Sequence, residues 1–149
     1  MLRILAAYLA AVLVTYATAA MAHTQWVMVN LGEMGVTVSL SDRIGATAHD
    51  LLGMATLYLP IIAVGLAVAF PVAALVIRAR PRWRSLGYSL AGGAAVLVIH
   101  VVLYQTFSIT PIAAARTTAG LTVQALCGAL GGWVYRICLP KRALSGRHP

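Results

Sequence analysis

Four long apolar segments dominate this chain and restrict what it can fold into. A helix needs about 20 mostly apolar residues to cross a bilayer core of roughly 30 Å. Segments near that length cover residues 4–21, 51–77, 86–107 and 117–138. The composition agrees, since 61% of the residues are hydrophobic, 9% are charged and the mean hydropathy is +0.89. We therefore predict an all-α membrane protein that forms a single domain of four transmembrane helices.

The Lys and Arg residues predict how these helices are oriented, because short basic loops stay in the cytoplasm. With both termini inside, nine of the eleven Lys and Arg residues fall on the cytoplasmic side. Most of them lie in a basic loop, residues 78–85, and in a tail, residues 139–149. The net charge of +8 is explained by this N-in/C-in topology and does not indicate nucleic-acid binding. Anionic lipid headgroups are expected to contact the arginines of the loop, Arg78, Arg80, Arg82 and Arg84.

The N-terminal segment has a second interpretation. A short basic start, an apolar run and the sequence AAMAH also fit a secretory signal that is cut after Ala22. Cleavage would leave His23 as an N-terminal histidine, a group that some copper proteins use as a ligand. A retained membrane helix is the interpretation carried forward here.

The segment between the first two apolar runs, residues 22–50, is predicted to lie outside the membrane. Within it, TQWVMVN and GVTVSLS alternate apolar and polar residues on either side of the glycine-rich stretch NLGEMG. This pattern predicts a short β-hairpin. A two-stranded ribbon is marginal in water, so the hairpin is expected to rest on the helix ends or on a partner.

Ionisable residues gather near the start of the second apolar run. Thr47 and Asp50 have the spacing of a capping box, which would satisfy free N–H groups in the first turn of a helix. The alternative is an extracytoplasmic metal site of the kind that holds copper, because four potential ligands are predicted on the same side of the membrane. They are His23, Glu33, His49 and Asp50.

Polar side chains recur at one predicted depth in the membrane. Tyr16, Tyr58, His100 and Gln124 all lie about 10 Å from the outer ends of their helices, at 1.5 Å per residue. Tyr104 shares a helix face with His100. The layer is expected either to bind a quinone, lipid or metabolite or to hold the helices together by hydrogen bonds.

Small residues predict where helices approach closely. Ser89 and Gly93, and again Gly128 and Gly132, are separated by four residues, which places each pair on one helix face.

Several kinds of site lack support in the sequence. Cys127 and Cys138 are eleven residues apart and do not form a CxxC pair, and His49 is too far from His100 for axial haem ligation. We find no Ser/His/Asp set, phosphate loop or HExxH motif. Neither catalysis nor a particular cofactor is therefore indicated.

These features favour an accessory or assembly subunit of a larger complex in a bacterial-type inner membrane. Its expected partners are membrane lipids and either other membrane subunits or further copies of itself. A component that binds or transports a small ligand through the polar layer is the alternative, and the metal site at His23 and His49 is the second.

Overall fold

The computed structural model describes residues 2–78, 81–107 and 112–139. These ranges form five α-helices and three short 3₁₀ turns, with no strand among them. The helices are α1 (Leu2–Glu33), α2 (Leu40–Gly53), α3 (Tyr58–Ile77), α4 (Arg84–Phe107) and α5 (Thr118–Cys138). The 3₁₀ turns are Met54–Thr56, Pro81–Trp83 and Ala113–Arg116.

Three of these helices, α1, α3 and α4, are long and apolar enough to cross a membrane. The prediction of four transmembrane helices with a β-hairpin is therefore wrong, and the N-in/C-in topology loses its basis. At 21 residues α5 is long enough to span, but its hydropathy is too low, in part because its buried face carries four glycines and Gln124. The buried residues of that face include Gly120, Gln124, Gly128, Gly131 and Gly132.

The predicted hairpin is replaced by helix, because α1 continues through TQWVMVN to Glu33. The glycine-rich stretch ends this helix. Gly35 has a positive φ of 84°, its N–H donates to the Gly32 carbonyl at 3.0 Å, and the Val36 N–H donates to the Leu31 carbonyl at 3.1 Å. These two bonds define a Schellman motif, which requires a left-handed residue after the last helical turn. The glycine thus turns the chain between two helices and not between two strands.

The N-cap of α2 lies eight residues earlier in the chain than Thr47, the N-cap that the sequence predicted. Ser39 is the N-cap, and its hydroxyl accepts from the Asp42 N–H at 3.2 Å, while the Asp42 carboxylate accepts from the Ser39 N–H at 2.9 Å. The predicted capping pair, Thr47 and Asp50, lies inside α2 instead. Ser39 and Asp42 have the same capping-box spacing as Thr47 and Asp50. Ser39 was not chosen because it lay in the segment GVTVSLS, which was predicted to be a strand.

The apolar run predicted as one helix, residues 51–77, is broken before Pro60. Helix α2 ends at Gly53, the 3₁₀ turn Met54–Thr56 follows, and α3 starts at Tyr58. Pro60 therefore sits in the first turn of α3, where its missing N–H needs no partner in the helix. Pro71 remains inside α3.

Helix α5 packs along both α1 and α4, so it is the central helix of the bundle. Its contact with α4 is a backbone contact between glycines. A Cβ atom on Gly128 would overlap the carbonyl oxygen of Gly92, and one on Gly92 would overlap that of Gly128. On the other side, a Cβ atom on Gly131 would overlap the Thr15 hydroxyl of α1. Small residues let the three backbones approach this closely.

Helix α3 lies beside α1 and α4 and reaches α5 through aromatic side chains. Phe70 stacks on Tyr135 with ring centroids 4.2 Å apart and an interplanar angle of 12°. The Tyr8 hydroxyl of α1 donates to the Ala63 carbonyl at 2.6 Å, which ties α1 to α3 as well. Large side chains therefore make the contacts of α3 with the other helices, whereas glycines allow α5 to contact α1 and α4 through its backbone.

We predict that Gly128→Ala destabilises the bundle, because the new methyl group would meet the Gly92 carbonyl. Overpacking of this kind costs about 1–3 kcal/mol. Gly45→Ala is the matched control, since a Cβ atom there meets nothing within 4 Å and alanine favours helix. Thermal unfolding in detergent measures both variants. Equal midpoints would contradict the described contact between α4 and α5.

We also predict that the start of α2 loosens at low pH. The hydrogen bonds from the side chain and backbone of Ser39 hold the pKa of Asp42 below its usual range. A carboxylate with a lowered pKa stabilises the folded state above its unfolded pKa, and this contribution disappears as the pH falls through the folded pKa. The protection of the first turn of α2 against hydrogen exchange, measured relative to the intrinsic rate at each pH, should therefore fall in acid.

Two variants sharpen that measurement. Ser39→Ala should give fast exchange at neutral pH and remove the acid-dependent change, whereas Ser41→Ala should retain it. A Ser39→Ala protein with the exchange profile of the wild type would show that the cap does not order this turn.

Candidate functional site

The polar layer predicted within the membrane is centred on Gln124 of α5, which is fully buried. Its Oε1 accepts from the Tyr58 hydroxyl of α3 at 3.2 Å. Its Nε2 donates to the Ala19 carbonyl of α1 at 3.0 Å. One amide side chain thus links the central helix to two others, as is expected of a polar group that must find partners away from water.

Three aromatic rings extend this layer. The Tyr16 and Tyr58 rings meet edge to face with centroids 6.3 Å apart, and Tyr58 meets the His100 ring in the same manner at 6.2 Å. The Tyr16 hydroxyl donates to the Leu51 carbonyl at 2.5 Å, where α2 approaches α1. Edge-to-face contacts align the positive edge of one ring with the negative face of the next.

His100 is the member of the layer with a free nitrogen. Its Nδ1 lies 2.8 Å from the Val96 carbonyl oxygen, and its Nε2 is buried with no hydrogen-bond partner among the described residues. A carbonyl oxygen can only accept, so Nδ1 carries the hydrogen of this bond. In the neutral imidazole, Nε2 is then a hydrogen-bond acceptor.

Tyr104 does not join the layer, although the sequence predicted it there. It is 58% exposed, whereas His100 is 5% exposed. The two residues are one turn apart on α4, but the helices that cover His100 do not cover Tyr104. The structure therefore brings together Tyr16, Tyr58, His100 and Gln124.

The predicted metal ligands do not assemble. Among the described residues, no group of three or more His, Cys, Asp or Glu side chains could hold a metal ion. Because α1 continues as a helix, Glu33 lies roughly 15 Å beyond His23 along its axis. His49 is exposed on α2, and the Asp50 carboxylate accepts a hydrogen bond from the Thr24 hydroxyl at 2.7 Å. Asp50 thus serves the contact between α1 and α2.

That contact is polar throughout its length. In addition to the bond between Thr24 and Asp50, the Gln25 Nε2 donates to the Thr47 hydroxyl at 3.1 Å. The Arg43 Nη1 donates to the Gln25 Oε1 at 3.0 Å. Sequence reasoning missed Thr24 and Gln25 because they stood in the predicted strand; a helical pattern continued past residue 21 would have paired them with α2.

The opposite side of α2 carries an apolar stripe that we call the α2 stripe: Leu40, Ile44, Ala48 and Leu52. All four residues are exposed, with Leu40 at 73%, Ile44 at 63% and Leu52 at 78%. Helix α2 has no buried residue. Three polar side chains of α2, Arg43, Thr47 and Asp50, bond to α1, whereas the α2 stripe is exposed.

A second apolar surface runs along α3 and α4. It is an open groove of about 1030 Å³ that extends from Pro60 and Thr106 at one end to Ile77 and Gly87 at the other. Its lining is apolar apart from Thr106, with small residues along both helices. The smallest are Gly65, Ala69, Ala73, Gly87, Ala91, Ala94 and Ala95.

The predicted lipid-binding arginines lie at the end of the bundle opposite α2. Arg78 and Arg82 are exposed, and Arg84 is partly buried at the start of α4. Arg80 and residues 140–149 of the predicted tail lie outside the described residues.

The predicted packing residues lie at the interface of α4 and α5. A Cβ atom on Gly93 would come within 3.1 Å of the Ala125 carbonyl, and one on Gly132 would overlap the Tyr88 carbonyl and approach the Ser89 Cα. Gly128 faces Gly92, which the sequence analysis did not single out. Either Gly92 or Gly93 could have been the glycine of α4 that faces α5. The four-residue spacing from Ser89 led the sequence analysis to choose Gly93.

Searches against protein-family models, curated proteins and solved structures find no match to this chain. Its function has to be argued from the polar layer, the α2 stripe and the groove.

We predict that Tyr58→Phe destabilises the bundle by about 1–2 kcal/mol, because it leaves the buried Gln124 Oε1 without its donor. Tyr104→Phe removes an exposed hydroxyl from the same type of side chain and should leave stability unchanged. Thermal unfolding of both variants in one detergent provides the comparison. Similar losses, or none in either, would argue against the described bond.

Proposed function

We propose that this protein is a small subunit of a larger membrane complex and that it binds another membrane protein through α2. We further propose that it is a multi-pass protein of a bacterial-type inner membrane. The three apolar helices support the membrane assignment. Arg78, Arg82 and Arg84 support a cytoplasmic position for the connection between α3 and α4, because basic loops are retained there.

The α2 stripe is the observation that carries the proposal. A helix on the surface of a protein normally turns its apolar side inward and its polar side to water. Helix α2 departs from this arrangement, since Thr47 and Asp50 bond to α1 while the apolar Ile44 and Leu52 are exposed. A contiguous apolar patch outside the bundle marks a surface that something else covers.

The direction of α2 favours a protein over lipid as the covering partner. Helix α1 has 32 residues and is about 48 Å long, which exceeds the roughly 30 Å of a bilayer core. The charged residues Asp42, Arg43 and Asp50 lie beside its C-terminal part, so that part extends into water. The α2 stripe follows this extension for about 18 Å from Leu52 to Leu40. Lipid would cover only the end near Leu52.

The groove between α3 and α4 supports a partner that is itself a membrane protein. It runs the length of two apolar helices, and its small side chains permit the close approach of a further helix. Leu57 and Val64 follow Leu52 along the chain and are exposed as well, and Val64 lines the groove. One partner with a transmembrane helix and an extension outside the lipid would cover both surfaces.

Ile44→Arg tests the proposal. It places a charge in the middle of the α2 stripe and should abolish co-purification of the partner from native membranes at mild detergent concentration, because a buried unpaired charge opposes association. His49→Arg adds the same charge to α2 about 140° around the helix and should leave co-purification intact. Mass spectrometry of the purified complexes identifies what is retained.

Thermal unfolding of both variants shows whether the protein itself is affected, since neither side chain is buried. Purification of the wild-type protein as a single species without other polypeptides would contradict the proposed role. So would an Ile44→Arg protein that keeps the same fixed partner.

A further inference from the structure

The buried imidazole of His100 has one nitrogen that the protein does not use. Its Nδ1–H is committed to the Val96 carbonyl at 2.8 Å, which leaves the Nε2 lone pair as the available group. With 5% of the residue exposed, this lone pair is withdrawn from bulk solvent. A buried acceptor without a donor is unfavourable, because it has lost its hydrogen bond to water.

The neighbouring polar groups do not supply the missing donor. The Tyr58 hydroxyl donates to Gln124, and the Gln124 amide donates to the Ala19 carbonyl. The Tyr16 hydroxyl donates to the Leu51 carbonyl. The hydrogen bonds that these donors make thus go to other acceptors, and no described group bonds to His100 Nε2.

His100 also lies at the border of the lipid-facing surface of α4. Leu97, Val101 and Tyr104 occupy the adjacent positions on this helix and are 37%, 51% and 58% exposed. A molecule dissolved in the membrane therefore approaches His100 past side chains that already face the lipid.

We propose that His100 Nε2 is the binding atom for a neutral, membrane-soluble ligand that donates a hydroxyl hydrogen. Two sources carry this chemistry, a hydroquinol and a lipid alcohol such as a diacylglycerol. A quinone has only carbonyl acceptors at its head and does not satisfy Nε2. This site uses a side chain of α4 and none of the α2 stripe, so it is independent of the partner proposed for α2.

The test uses the full chain in lipid nanodiscs with histidine labelled with ¹⁵N. The Nε2 resonance of His100 is assigned by its absence in His100→Gln. Titration with a short-chain benzoquinol or with dioleoylglycerol should shift this resonance in a saturable manner, as expected when a bare acceptor nitrogen gains a hydrogen bond. The matching benzoquinone should leave it in place. The donor that saturates at the lower concentration identifies the source.

Variants provide a second readout. His100→Phe keeps a ring but removes the acceptor, and it should weaken binding of the effective donor by about tenfold or more. Tyr104→Phe removes the nearest exposed hydroxyl on α4 and should bind within about twofold of the wild type. Thermal unfolding establishes that each variant is folded. If His100→Phe does not fold, the titration of the wild-type resonance alone tests the proposal.

Three results would overturn the proposal. The first is a resonance that neither donor moves, and the second is a benzoquinone that moves it as far as the benzoquinol does. The third is a folded His100→Phe protein that binds the donor as tightly as the wild type.

Discussion

The backbone contact between Gly92 and Gly128 is the constraint on which the other features of the bundle depend. It brings α5 against α4 at a distance that no larger residue permits, while Gly131 does the same toward Thr15 of α1. Once α5 occupies this central position, Gln124 lies within reach of both Ala19 and Tyr58. In lipid, where apolar side chains gain little by leaving their solvent, close packing and such hydrogen bonds provide much of the association between helices.

The polar layer was largely predictable from the sequence, because helical rise converts residue number into depth. Tyr16, Tyr58, His100 and Gln124 fell at one predicted height, and in the structure Tyr58 contacts each of the other three. Tyr104 shows the limit of this reasoning. It shares a helix face with His100, but only the positions of neighbouring helices determine where that face stops being buried.

The segment between the first two apolar runs was poorly predicted because of its alternating pattern. Alternation in TQWVMVN fits a strand, yet its polar members Thr24 and Gln25 find their partners on α2, which lies more than fifteen residues away. Glycine added to the error, since Gly35 serves equally in a hairpin turn and at the end of a helix. The glycines that allow α5 to pack closely also lower its mean hydropathy. Close packing of α5 therefore comes with a hydropathy below that of α1, α3 and α4.

The central position of α5 has a consequence for synthesis of the protein. The chain is made from its N-terminus, so α1, α3 and α4 are all complete before α5 exists, and Gln124 is separated by 105 residues from the carbonyl it contacts on α1. Until then the Tyr58 hydroxyl lacks its acceptor, and the glycine surface of α4 has nothing to pack against. Of the described helices, α5 is therefore the last to leave the ribosome, and it is the one that joins the others into a bundle.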